Sequence, residues 1–384
     1  MPNPGKMAIP FLTLAHGLEP HAMSNADLRN QCHTFFSGAA PRPAAQDFAD
    51  MAAWCQAHGI QHDSYGEGAL LQDFENKVAA LLGFEAARFV VTGTLAQAVA
   101  LRIACQDRNN PLAALHPTAH VLLHESSNYQ LLDHFTALNV GNPHRPWTVD
   151  DLKAIPDRLG AALYELPMRE IGGQLPAWEE LEAVKRYCRE QHIHLHLDGA
   201  RLWEAAAGYG KPLDSVAAGF DSAYVSFYKG IGGLGGAMLL GSRDFIGRTS
   251  AWMKRLGGNV YQRSPYVVAA AMRFDEKLAR MPAYLQRTRE LYQLLARYPL
   301  WQVNPRQPHC NMLHLYLPVD REAANAARDQ LAREHGVWLF GEARHAALPQ
   351  QSHVEWYVGE ALLSLSDDRI AAILDQFQAL LAPA

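Results

Sequence analysis

The sequence predicts an α/β fold, a large domain followed by a smaller α+β one, on three observations. Short apolar runs alternate with longer amphipathic stretches through most of the chain, the pattern of strands and helices taking turns. The 384 residues, 49% hydrophobic and 19% charged, can bury a large core and leave material for a second one. From about Tyr266 the alternation gives way to long helical stretches and then to NMLHLYLP and HVEWYVGEALLSL, which read as antiparallel strands. The expected organisation is an N-terminal arm over residues 1–30, a large domain over 31–265 and a small domain over 266–384.

Each element has its own signal. Leu70, Phe74, Val78 and Leu81 recur at helical spacing and the stretch stops at Gly83, which predicts a helix with a glycine cap. RFVVTGT reads as a strand ending at Gly93-Thr94, and LAQAVALRIAC as the helix after it. HVLLHES (120–126), AALYELP (161–167), HIHLHLDGA (192–200), SAYVSFY (222–228) and GAMLLGS (236–242) are further strand candidates, with WEELEAVKRYCREQ a helix between two of them. The last helix opens on Ser366 with Asp367 and Asp368 in its first turn, where negative charge favours the helix dipole.

Composition narrows the chemistry. A net charge of -5, from 39 acidic and 34 basic residues, provides no basic field for a nucleic-acid backbone. Cys32, Cys55, Cys105, Cys188 and Cys310 are scattered, odd in number and never in C-x-x-C spacing, which argues against a disulfide framework or a zinc site. A reducing, cytoplasmic compartment follows as an expectation. Pro10 interrupts the N-terminal apolar piece MAIPFLTLA, and no run reaches the roughly 18 apolar residues of a membrane span. Small-molecule chemistry is therefore expected.

Four motifs carry it. In HLHLDGAR, His194 and His196 share one strand face, but no third ligand is evident and no metal is expected. Asp198 ends that strand; alone, it reads equally well as a cap for the helix LWEAAAGYG. Lys229, at the end of SAYVSFY and before a glycine-rich loop, suits a desolvated amine able to form a Schiff base. A carboxylate that keeps a pyridine nitrogen protonated and an imine-forming lysine are what pyridoxal phosphate needs from a protein. The Gly230, Gly232, Gly235 register imitates a dinucleotide fingerprint, yet Gly236 leads into a strand-like run and no acidic residue lies between Phe245 and Phe274. A strand, the Gly93-Thr94 turn and a helix provide a general anion site in VTGTLAQ. HDSYGEG (62–68) reads as a tight polar turn before a helix.

In this order the motifs resemble the threonine aldolase/β-eliminating lyase group of pyridoxal phosphate-dependent, aminotransferase-like enzymes, from about Phe36 to the C-terminus. DSYGEG, VTGTLAQ, GGQLP, HLDGARLWEAA, AAGFDSAYVSFYKGIGG and MKRLGGNVYQ carry the resemblance. It implies fold type I, a mostly parallel seven-stranded sheet between helices. Lys229 would hold the cofactor, Asp198 its ring nitrogen, and Gly93 and Thr94 its phosphate, with Ser226 nearby. Ala200 would pack under the ring, and Arg201 would lie near the cofactor's phenolic oxygen and the substrate carboxylate. Ser37 would also lie near that carboxylate, and Tyr65 would reach a neighbouring subunit's site in a dimer or tetramer. Two positions depart from the family. Asn128 falls where a histidine usually stacks on the ring, with His124 or Ser127 a register shift away, and Trp356 falls where an arginine commonly holds the carboxylate. His124 or a bound water is the expected base, and His62 a remoter one. The implied reaction splits a β-hydroxy-α-amino acid (threonine, allo-threonine or phenylserine type) into glycine and an aldehyde. The alternatives are β-elimination or transamination of an aromatic or sulfur amino acid, and a catalytically silent relative.

Overall fold

The structure, a computed structural model, describes residues 24–381. In chain order its strands are β1 (Thr34–Phe35), β2 (Ala86–Val90), β3 (Leu112–Leu115), β4 (Thr136–Asn139), β5 (Ala161–Glu165), β6 (His194–Gly199) and β7 (Ser222–Ser226). Then come β8 (Ala237–Gly241), β9 (Gln302–Asn304), β10 (Met312–Leu317), β11 (Val337–Trp338), β12 (Arg344–His345) and β13 (Ser352–Tyr357). Seven of them form one sheet in the order β2-β8-β7-β6-β5-β3-β4. Only β8 runs antiparallel to its neighbours. Strands β5 to β8 are buried along their whole length, which is why β5, β7 and β8 read as largely apolar runs, while β6 alternates leucine with buried histidine.

The edge of this sheet departs from the sequence reading. HVLLHES is not a strand: His120–Leu123 form a helical turn, and Ser126 and Ser127 have φ of 51° and 56°. The place beside β5 belongs to Leu112–Leu115, a short alanine-rich run without the β-branched residues that mark a strand.

The second core is built on an antiparallel sheet, β12-β13-β10-β9, covered by the helices Arg321–His335 and Asp367–Leu381. Strand β1 pairs with β11, and Phe36 lies inside this core, so residues 34–36 pack with the small domain rather than with the large one expected to open at residue 31. Residues 24–31 are a cap and helix (Asn25–Gln31) with Leu28 against Ala332 and Trp338. The rest of the expected arm lies outside the described residues. The expected boundary at 265/266 falls within one uninterrupted helix, Ser264–Leu295, whose side chains enter both cores.

Strand β13 corrects one assignment. Its alternation places Val354, Trp356 and Val358 in the small core, and Trp356 is 0% exposed with its Nε1 donating to the Leu339 carbonyl at 3.0 Å. Trp356 therefore lines no substrate site; period-two geometry sends Glu355 and Tyr357 to the opposite face. Trp356→Ala should cost about 3–5 kcal/mol of stability, read as a lower denaturation midpoint, with little change in KM for the folded fraction.

Candidate active site

The carboxyl ends of parallel strands are where α/β sheets assemble sites, and β5, β6 and β7 end here on Glu165, Asp198-Gly199 and Ser226. Asp198 is buried, in register with Glu165 and Tyr224. Its Oδ1 accepts the Ala200 N–H at 3.1 Å and its Oδ2 accepts Gln97 Nε2 at 2.6 Å. Beyond β7, Lys229 reaches back so that Nζ lies 5.9 Å from the Tyr224 ring centroid and 5.5 Å from that of Tyr228. Burial, then the Arg201 charge, push the Lys229 amine below the usual lysine range, against the opposing pull of Asp198 and Glu165. A lysine so placed has a larger neutral, nucleophilic fraction than an exposed one.

Lys229 and Arg201 line a cavity of about 310 Å³ together with Ala39, Gly230, Lys277 and Tyr357. A larger cavity of about 680 Å³, among Arg108, Arg158 and His192, sits where β5 and β6 begin, away from these groups. The glycine loop now has a steric explanation. A Cβ on Gly230 would sit 2.3 Å from Glu204 Oε1 and 2.9 Å from Tyr357 Oη, two groups that bond each other at 2.7 Å. Gly236 leads directly into β8, not into a helix, which removes the dinucleotide reading.

The other predicted residues distribute unevenly. Gly93 opens the helix Gly93–Asp107, capped by Thr92 Oγ1 on the Leu95 N–H. A Cβ at Gly93 would lie 2.2 Å from Tyr224 Oη, so only glycine fits. Thr94 is exposed in the first turn, where backbone N–H groups and a hydroxyl suit a phosphate. Ser226 and Ala200 are buried next to Tyr224 and Asp198. Arg201 Nε is buried without a partner. Ser37 spends its hydroxyl on the Tyr357 backbone, accepting the N–H at 3.1 Å and donating to the carbonyl at 3.4 Å. Tyr65 is 56% exposed, with its ring against Tyr261. His62 bonds Ser264 Oγ at 2.7 Å, outside the Lys229 cavity. Asp63 beside it takes the N–H groups of Gly66, Arg263 and Ser264, which ties the HDSYGEG turn to the start of the long helix.

Three ionisable groups were not legible as site residues. His124 turns to Glu170, with Nε2 2.9 Å from Oε1. His120, one helical turn earlier and 5.0 Å from it between ring centroids, is the imidazole on which Asp198 and Lys229 act. Burial above all pushes His120 down to about 4, so its ring is neutral near pH 7. Glu125, hydrogen-bonded with Asn128 and Thr94, is pushed up to about 7 by burial and then by the Asp198 charge. The same two causes push Glu165 up to about 8. Asn128 thus serves Glu125, donating at 3.3 Å, and His120 is the imidazole within the field of Asp198. Had HVLLHES been read with period 3.6, His120 and His124 would have shared a face.

These residues fit pyridoxal phosphate. A desolvated lysine, a buried carboxylate, a helix N-terminus narrowed by an obligate glycine and an unpartnered buried guanidinium nitrogen converge on one edge. Residues 45–317 match the beta-eliminating lyase family. The chain belongs to that family. Its members are pyridoxal phosphate-dependent lyases, and this chain is one. Among solved structures, two are each 34% identical with a TM-score of 0.86, covering 92% of this chain and 98% of theirs. One is described as an aromatic amino acid beta-eliminating lyase/threonine aldolase from Exiguobacterium sp. 255-15, the other as an L-allo-threonine aldolase from Listeria monocytogenes. The low specificity L-threonine aldolase of Escherichia coli K12 is 30% identical over 228 residues, 58% of this chain and 68% of that protein. The β-eliminating lyase fold type I, with its mostly parallel seven-stranded sheet, is thus shared with these relatives.

Proposed function

We propose that the protein cleaves the Cα–Cβ bond of a β-hydroxy-α-amino acid of the threonine, allo-threonine or phenylserine type, giving glycine and an aldehyde. The observation that carries this reading is Lys229 held desolvated within the field of Asp198 at the sheet edge, in a chain similar to threonine aldolases over most of its length. When bound, pyridoxal phosphate supplies an electron sink for the pair left on Cα.

The chain's own groups do the rest. Lys229 would be the cofactor's attachment point, and Asp198 would keep its ring nitrogen protonated. Gly93 and Thr94 would hold its phosphate, and Ala200 and the neutral His120 would lie against it. Arg201, which lines the cavity and has a buried Nε without a partner, binds the substrate carboxylate. Arg169 is already committed to Glu355, at 2.8 and 3.2 Å. Glu125 accepts the β-hydroxyl proton in place of His124, because a carboxyl pushed up to about 7 is matched to proton transfer near neutrality.

A base works only in its ionised form. Turnover should therefore rise with pH through about 7 and level above it. Glu125→Gln should lose that limb and lower kcat by ~10²–10⁴-fold, as measured by aldehyde release from phenylserine across pH. An unchanged pH profile in this variant would reject Glu125 as the base. The reaction class is tested by incubating the holoenzyme with threonine, allo-threonine and phenylserine. Glycine plus aldehyde is expected; ammonia and a keto acid without aldehyde would assign β-elimination instead.

We further infer a homodimer or tetramer with sites between protomers, supported by the exposed Tyr65-Tyr261 pair and by Leu131 at 78% exposure. A cytoplasmic location is supported by the five free thiols.

A further inference from the structure

Behind Asp198 runs a line of buried polar groups that the reaction does not touch. Gln97 Nε2 lies 2.6 Å from Asp198 Oδ2, and Gln97 Oε1 lies 3.2 Å from His196 Nε2. His196 Nδ1 lies 2.7 Å from Ser222 Oγ, which lies 2.7 Å from His194 Nε2. All five residues are at most 5% exposed. The metal reading of the two histidines has no place here, since these three nitrogens are spent on Ser222 and Gln97.

The hydrogens along this line are determined by exclusion. Gln97 must turn its NH₂ to Asp198, because its oxygen there would face a carboxylate acceptor to acceptor. Its Oε1 then needs a donor, so His196 carries its hydrogen on Nε2. Burial pushes His196 down to about 3 and His194 to about 4, so each is neutral with one N–H. His196 Nδ1 is thus an acceptor and takes the Ser222 hydroxyl hydrogen, leaving Ser222 Oγ to accept from His194 Nε2. Every hydrogen points the same way, from His194 through Ser222, His196 and Gln97 to Asp198. Bonds aligned in this manner polarise one another, and the last of them ends on a charge.

We propose that Gln97, His196, Ser222 and His194 are positioning residues, a one-directional hydrogen-bond chain that orients the Asp198 carboxylate toward the cofactor's ring nitrogen. The proposal rests on the reading of Asp198 given above. Its physical need is plain in the surroundings. Asp198 shares the site with Glu125, Glu165, His120 and Lys229. Of these three carboxyls, Asp198 alone has such a chain behind it, which fixes the direction in which its oxygens point.

The test uses apoprotein reconstituted with pyridoxal phosphate, reading dissociation constant, visible spectrum and the pH at which that spectrum titrates. Gln97→Leu should weaken cofactor binding about 10-fold, the loss of one charge-assisted bond, and shift the spectral titration. Ser222→Ala, nearly isosteric and two residues removed from Asp198 along the chain, should move both in the same direction by about 2–3-fold. Should both variants bind with wild-type affinity and titrate as wild type does, even with lowered melting temperatures, the chain is merely structural and the proposal falls. If wild-type protein takes up no cofactor, the functional reading itself fails, which is a separate outcome.

Discussion

Lys229→Ala is expected to lower aldehyde release by about 10⁴-fold or more, a modest part of the ~10⁶-fold or greater acceleration usual for enzymes. The fold should survive. Lys229 extends into a cavity and fills no core, so its truncation leaves the apolar clusters intact. One other lysine lines that cavity, Lys277, and its amine is held by Glu360 at 2.8 Å. It is thus an ion-paired cation rather than a desolvated amine. Phenylserine turnover and the visible absorbance of the reconstituted variant are the measurements. Activity within tenfold of wild type, with the absorbance band retained, would show that another amine carries the cofactor.

Asp198→Asn should cost about 10³-fold in kcat with KM little changed, in the range seen when one preorganised electrostatic partner is removed. The shape survives, but a neutral amide cannot balance a protonated ring nitrogen. The substitution also places an amide against Gln97, so one of the two must turn. A kcat equal to wild type would mean that Asp198 acts as the cap for the helix Leu202–Tyr209, the other role its position allowed. Against that role, its Oδ1 takes only the Ala200 N–H, before the helix begins.

How much of this was readable without coordinates depended on whether a residue's meaning was local. Asp198 lies at the end of one buried strand and Lys229 just beyond another, and a charge terminating an apolar run is visible in sequence. Strands β5 to β8 were legible for the same reason, as was the helix Ala69–Leu82 with its glycine cap. Strand β3 was not, because LAAL has neither alternation nor β-branched side chains. His120 and Glu125 were hidden by reading HVLLHES with the wrong period. Trp356 was misassigned although H-V-E-W-Y-V already grouped it with Val354 and Val358 on the apolar face. Family alignment placed it by position, whereas the strand's parity placed it by physics. Gln97 carried no signal at all, since both its partners lie on β6, far along the chain.

The helix Ser264–Leu295 has a further consequence. Its first turn is pinned by Asp63, Lys277 and Tyr284 line the cavity, and Leu291 and Leu295 belong to the small core. A cut after residue 265 would sever this rod at its second residue and strip Val267, Ala270 and Phe274 from the large core. The two lobes are therefore not separable modules: neither can be expressed alone without an exposed apolar seam, and they should melt as one body.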